Sequence, residues 1–323
     1  MKSTLLALLL IIAIALLGLA AMAVGSSGVG PAAILDGLSD VERMILFQLR
    51  MPRLLLALLA GAALSASGAL MQTFFRNPLA EPYITGVSAG GALGAVAVTS
   101  MHIMHPLAIG AGALLGGGAI TAALYAFALR ATRSSLSILL LGLALGTLCG
   151  ALVWVVLLGM GPAGSSEAIG WLLGRVSTTG YGEVTALAVA TAIGIALALS
   201  QSTALDTLLL GEEKAATLGL NVLASRQLIL GAAALLAAAS VAFCGVIAFV
   251  GLMVPHVMRI AVGSTHARLL PLCMLGGSAL VLGIDLLSRV IAPPSEFPLT
   301  VLTSLIGAPF FIFVLLRSRE VAV

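Results

Sequence analysis

The chain has 323 residues, 61% hydrophobic and 8% charged, with a formal net charge of +3 and a mean hydropathy of +1.21. Soluble domains carry about 25% charged residues, and no water-soluble fold of this length hides so much apolar surface, because much of any folded surface must face water. The composition therefore predicts an integral membrane protein, and the small net charge gives no footprint for nucleic acid.

A bilayer core of about 30 Å takes about 20 apolar residues per helix. Runs of that kind fall at about 4–24, 53–73, 83–100, 107–129, 136–160, 184–200, 226–243, 245–262, 269–290 and 298–316. This predicts ten spans. The seventh and eighth nearly merge, so hydropathy alone also admits eight or nine. The first run follows Lys2. It exceeds the 7–15-residue apolar region of a signal peptide, and we read it as an uncleaved span.

Charged, turn-forming residues flank the second run: Arg50-Met51-Pro52-Arg53 before it and Phe75-Arg76-Asn77-Pro78-Leu79-Ala80-Glu81-Pro82 after it. Glycine is abundant, at 37 residues. Gly112 with Gly116, and Gly142 with Gly146 and Gly150, recur at spacing four on one helix face, as close helix packing in lipid requires. Cys149, Cys244 and Cys273 lie scattered in apolar runs without metal-ligand spacing. His102 and His105 share a short loop and are too few for a metal site, while His256 and His266 stand isolated.

Orientation follows from the Lys/Arg bias of the loops. Ten spans place Lys2, Arg76, Arg130, Arg133, Lys214, Arg226, Arg259, Arg268, Arg317 and Arg319 on one side, and Arg43, Arg50, Arg53, Arg175 and Arg289 on the other. The richer side, with both termini, is predicted to be cytoplasmic. The second half loosely echoes the first. Each has a Gly-rich span leading into a Pro-containing polar turn, Asn77-Pro78 in one and Pro255-His256 in the other. Inverted repeats of this kind are common in transporters.

The chain has no G-x-x-x-x-G-K-[ST] loop for ATP. Its only lysines are Lys2 and Lys214, and neither follows a glycine. Gly86-Val87-Ser88-Ala89-Gly90 fits the G-x-S-x-G pattern, but it opens an apolar helix with no strand before it, and that motif needs a strand-to-helix turn. We read it as a tight turn and packing face. Ionisable groups are nearly absent from the spans, which argues against a proton- or ion-driven carrier. Asp285 is the best candidate for such a group, four residues before Arg289 and so placed to pair with it on one helix face.

The longest non-spanning stretch on the predicted inner side runs from about Gln201 to Arg226. Within it, Gly211 to Leu220 predicts a short helix bracketed by glycines. Glu212 and Glu213 suit its positive N-terminal end, and Gly219 suits the left-handed position just past its C-terminus.

Five ordered blocks together resemble the FecCD family of ABC-transporter permeases over nearly the whole chain. They are Arg50-Met51-Pro52-Arg53; Gly68-Ala69-Leu70-Met71-Gln72 with Phe75 to Pro82 and Gly86-Val87-Ser88; Leu210-Gly211-Glu212-Glu213 through Leu218-Gly219; Gly245 to His256; and Leu305-Ile306-Gly307-Ala308-Pro309-Phe310-Phe311. The resemblance implies an all-α membrane protein of about ten helices with the type II importer fold, in two loosely repeated halves. It implies one permease domain over residues 1–323 with a coupling-helix segment at about 206–222. It further implies a homodimer with two ATPase subunits below and one substrate-binding protein above, and a membrane location with both termini in the cytoplasm. No cofactor is expected in this chain, ATP and Mg being held by the ATPase. The cargo expected is an iron chelate, with vitamin B12, haem or molybdate as alternatives.

Residue by residue, Arg50, Arg53 and Arg289 match positions that meet glutamates of the binding protein. Gly211, Glu212, Glu213, Ala216, Leu218 and Gly219 match the segment that docks on the ATPase. Asn77, Leu79 and Ser135 match inner-gate positions, while Ser137 departs from the basic residue often found there.

Overall fold

The structure is a computed structural model and describes residues 2–24, 39–129, 135–176, 180–291, 293 and 295–317. The described residues form helices and no strand. In chain order the helices are α1 (Lys2–Ala23), α2 (Asp40–Met44), α3 (Met51–Phe74), α4 (Val87–Ser100), α5 (Pro106–Leu129), α6 (Ser135–Gly159), α7 (Pro162–Leu172), α8 (Tyr181–Ser200), α9 (Ser202–Leu208), α10 (Glu212–Thr217), α11 (Val222–Cys244), α12 (Val250–Val262), α13 (His266–Val290) and α14 (Leu299–Arg317). Seven are long and apolar enough to cross a bilayer, and α4, α12 and α14 are shorter apolar helices. These ten fall on the ten predicted runs. The short helices α2, α7 and α9 carry no run of their own in the sequence.

α3, α11 and α13 form the centre, while α1 lies at the periphery, with Ala21 its one buried residue. Small residues let the central helices touch backbone to backbone. A Cβ on Gly61 would lie 2.1 Å from the Gly277 carbonyl oxygen, and one on Gly68 would lie 1.9 Å from that of Gly251. Lipid supplies no hydrophobic force between helices, so such contact is what holds them together. The predicted glycine faces behave alike: Gly112 and Gly116 meet Gly94 and Gly90, and Gly142 and Gly146 meet the chain at Thr85 and Gly86. Gly150 is the exception, with open space beside it.

Three expectations change. Arg50-Met51-Pro52-Arg53 is not a turn. A π-helical segment, Ile45–Arg50, joins α2 to α3 in one continuous path. Pro52 sits in the first turn of α3, where its missing N–H costs nothing. The Met51 N–H bonds back to the Leu46 carbonyl, a five-residue step, so the widened turn absorbs the change of register ahead of the proline.

The run at 245–262 is not all helix either. Residues 245–249 are non-helical, and α12 begins only at Val250, after Phe249 in a left-handed conformation (φ +67°). Pro255-His256 therefore lies inside α12 rather than in a turn. The true counterpart of the first-half break is residues 75–86, which end at Gly86 (φ +79°) and open the short α4. Each half thus contains one helix of 13 or 14 residues, about 20 Å long and too short for a 30 Å core. Hydropathy cannot register the break at 245–249, because Gly245-Val246-Ile247-Ala248-Phe249 is as apolar as the helices around it, whereas the break at 75–86 is marked by Arg76, Asn77, Glu81 and two prolines.

Candidate functional site

The first charged cluster lies at the predicted outer end, where the ends of α1, α3 and α13 meet. Asp285 of α13 is fully buried. Arg53 of α3 binds it through Nε at 3.1 Å and Nη2 at 2.9 Å, and also binds Glu296 at 2.6 and 3.0 Å. Arg289, one turn along from Asp285, binds its second oxygen and donates to the Ala21 carbonyl at 3.3 Å. Arg50 donates to the Met22 carbonyl, so two guanidinium groups cover the last carbonyls of α1, where the helix dipole is negative. Burial opposes ionisation of Glu296, but the hydrogen bond and charge of Arg53, with Arg289 and Arg175 beyond, hold its carboxyl below the ordinary range.

The Asp285–Arg289 pair is the one predicted from spacing. The structure brings all three predicted docking arginines into one cluster, with Arg50 buried and the Arg289 side chain 8% exposed. Their outward reach is limited, and the partners that fix Arg53 come from 232 and 243 residues away.

The second site is the predicted coupling segment. α10 follows Gly211 (φ +111°) and ends in a Schellman motif. The Gly219 N–H (φ +85°) bonds to the Ala216 carbonyl at 2.9 Å, and the Leu220 N–H to the Ala215 carbonyl at 3.1 Å, which satisfies the orphan carbonyls of the helix end. Ala215 points inward, while Glu213, Lys214, Ala216 and Leu218 face out. Leu218 is 67% exposed and Leu210 58%. Glu212 turns back to pair with Arg226 of α11.

A buried polar chain lies beside this segment. Asp206 of α9 accepts both the backbone N–H of His266 at 2.9 Å and its Nδ1–H at 2.6 Å. Thr265 provides no side-chain cap, so Asp206 caps α13 from another helix. The His266 Nε2 lies 2.8 Å from the Thr73 hydroxyl, to which Arg259 also donates at 3.1 Å. His266 is not isolated, as the sequence suggests. Its partners are 60 and 193 residues away, beyond any local pattern. Hydroxyl, imidazole and carboxylate follow one another here as in a nucleophilic triad. Thr73 is 1% exposed, however, and its oxygen already contacts His266, Arg259 and the Ala69 carbonyl, leaving no approach for a substrate.

The predicted gate positions Asn77 and Leu79 occupy the turn after α3. The Asn77 N–H bonds to the Gln72 carbonyl at 3.0 Å, and the Leu79 N–H to the Asn77 Oδ1 at 2.9 Å, an Asx turn. Gln72 donates in turn to the carbonyls of Gly251 and Leu252. Ser135 opens α6, and its side chain lies outside the described residues. Ser88 is buried in the first turn of α4, as its reading as a packing residue expects.

Known proteins align with this architecture along most of its length. The model of the FecCD transport family matches residues 9–317. The cobalamin import system permease protein BtuC of Halobacterium salinarum is 38% identical over 88% of this chain and 76% of its own length. The hemin transport system permease protein HmuU of Yersinia pestis is 37% identical over 87% of this chain and 86% of its own. Among solved structures, an inward-facing metal-chelate type ABC transporter superposes with a TM-score of 0.87 at 30% identity, covering 96% of this chain and 98% of that one. With that coverage, and with the arginine, glycine and coupling-segment blocks in their expected order, the chain belongs to the FecCD transport family.

Proposed function

We propose that this chain is the membrane-spanning permease subunit of an ATP-driven importer that moves an iron chelate from a binding protein into the cytoplasm by alternating access. Vitamin B12, haem and molybdate are alternative cargoes of the same class. The observation that carries the reading is α10. A six-residue helix on the predicted inner side exposes Leu210 and Leu218 beside Glu213, and exposed apolar groups rimmed by charge fit a protein partner. In this reading that partner is the ATPase and holds the ATP and Mg, in keeping with a sequence that carries no G-x-x-x-x-G-K-[ST] loop.

In this reading two copies of the single 1–323 domain form the pathway between them, two ATPase subunits grip Gly211, Glu212, Glu213, Ala216, Leu218 and Gly219, and both termini are cytoplasmic. The substrate-binding protein docks at the opposite face, where Asp285 pre-orients Arg53 and Arg289 beside Arg50. Such rim charges steer association and fix orientation more than they supply affinity. Asn77, Leu79 and Ser135 border the inner exit.

The test is ATP hydrolysis and uptake by the chain in liposomes with its ATPase, with and without binding protein loaded with ferric siderophore, haem or B12. Stimulation with uptake of one ligand supports the importer and identifies its cargo. An ATPase that never co-assembles with the permease overturns the reading.

A further inference from the structure

The coupling segment is tied to the bundle interior by two separate polar routes, and both end on adjacent residues of one helix. The first runs from Asp206 through His266 to Thr73. The second runs from Glu212 through Arg226, whose guanidinium sits 4.7 Å from the centroid of the Phe74 ring. Asp206 lies in α9, just before the exposed helix, and Glu212 lies at its start. Thr73 and Phe74 are the last two residues of α3, directly before the turn that holds Asn77 and Leu79.

We propose that His266 and Arg226 are two parallel struts that carry movement of the coupling segment to the inner end of α3, and thereby to the Asn77–Leu79 turn. This rests on the importer reading above.

Geometry favours transmission over simple packing. One strut would leave the segment free to pivot about its attachment, whereas two, fixed at both ends, constrain rotation as well as translation. The first strut is directional throughout. A carboxylate can only accept, so the Asp206 contact places hydrogen on His266 Nδ1. Nε2 is then free to accept from the Thr73 hydroxyl at 2.8 Å, the shorter of the two contacts open to that single hydrogen, the other being the Ala69 carbonyl at 3.1 Å, while Arg259 donates to the same oxygen. The imidazole is fully buried, where hydrogen bonds are strong and cannot be exchanged for water. The second strut pairs an ion pair with a cation–π contact, which is also strengthened by burial.

Beyond α3 the path stays rigid. Gln72 fastens the same helix end to the first turn of α12, and the Asx turn fixes Leu79 relative to Asn77. Among the described residues, Arg226 Nη2 and Arg259 Nε are buried without a partner. Each guanidinium therefore has a spare donor with which to change partner as the segment shifts.

The struts are positioning residues, so the experiment reads coupling rather than activity alone. The complete transporter is reconstituted in liposomes with His266→Leu, Arg226→Met and the double variant, and uptake is measured per ATP hydrolysed. Each single variant is expected to lower that ratio at least about fivefold, the lower end of typical coupling between sites, and the double variant to lower it further. Asp206→Ala removes the outer anchor of the first strut at a partly exposed site and carries the same expectation if His266→Leu fails to accumulate. Asp206→Asn keeps an acceptor oxygen and is expected to restore most of the ratio.

A wild-type ratio in Asp206→Ala and Arg226→Met overturns the proposal. So does a loss of uptake and hydrolysis in equal proportion, which is the mark of a merely structural role. Failure of the unaltered permease to bind an ATPase counts instead against the importer reading itself.

Discussion

At the predicted outer end, three arginines are drawn inward around a fully buried Asp285, while at the predicted inner end Glu213, Lys214 and Leu218 face outward on a six-residue helix. The outer charges saturate one another. Asp285 holds two guanidinium groups, Arg53 also holds Glu296, and α1 carbonyls take up Arg50 and Arg289. The inner charges leave one face open and send two contacts back into the bundle. One end is closed on itself, and the other keeps an open face.

Removing the keystone of the closed end tests this most severely. Asp285→Ala leaves Arg53 and Arg289 buried without their shared carboxylate, and breaking a buried pair in this way costs about 3–5 kcal/mol. The variant is expected to lose most of its thermal stability in detergent, measured by melting of the purified protein. A small shift would mean that the cluster is far wetter than its burial indicates. Gly68→Val probes the packing between the two ends, since its Cβ would fall 1.9 Å from the Gly251 oxygen. Overpacking of this kind costs about 1–3 kcal/mol or more, and α12 should be displaced from α3, with faster proteolysis of the variant in native membranes.

At the open end the effects shrink. Gly219→Ala meets nothing within 4 Å, so only the left-handed backbone penalty of about 1–2 kcal/mol applies. That change should weaken ATPase co-purification with little change in the melting temperature of the permease alone. The smallest effect is expected at Glu296, whose side chain is 35% exposed and whose pair with Arg53 is worth at most about 1 kcal/mol. Its carboxyl is held below its ordinary value of 4.5. The stabilisation is therefore complete above that value and lost as pH falls through the lower folded value. Glu296→Gln should flatten the fall in melting temperature below about pH 5, and an unchanged profile would remove Glu296 from the cluster.

What the sequence made legible follows from range. Asp285 and Arg289 are four apart and Gly219 closes a helix four residues after a buried Ala215, so local rules find both. The ten runs were readable because lipid demands them. Arg53 with Asp285, His266 with Asp206 and Arg226 over Phe74 join residues brought together only by the fold, and nothing near each residue announces its partner. The break before α4 is announced by Arg76, Asn77, Pro78, Glu81 and Pro82, but the one before α12 was hidden for another reason. A backbone kink changes hydrogen bonding but not hydropathy, and of the two left-handed residues that bound this one, Gly245 is one glycine among 37 and Phe249 is of a type that ordinarily avoids that conformation.

Residues 245–249 also bear on how the chain is made. Their backbone lies outside any helix yet is buried over residues 245–248, where lipid cannot satisfy it. The Phe249 N–H is taken up by Glu81, which has long since been synthesised, but the Val246 carbonyl waits for the Thr300 hydroxyl of α14. During synthesis that carbonyl therefore lacks its partner until the last span enters the membrane. The eighth span would then settle late, after the ninth and tenth, and insertion of this permease would finish out of numerical order.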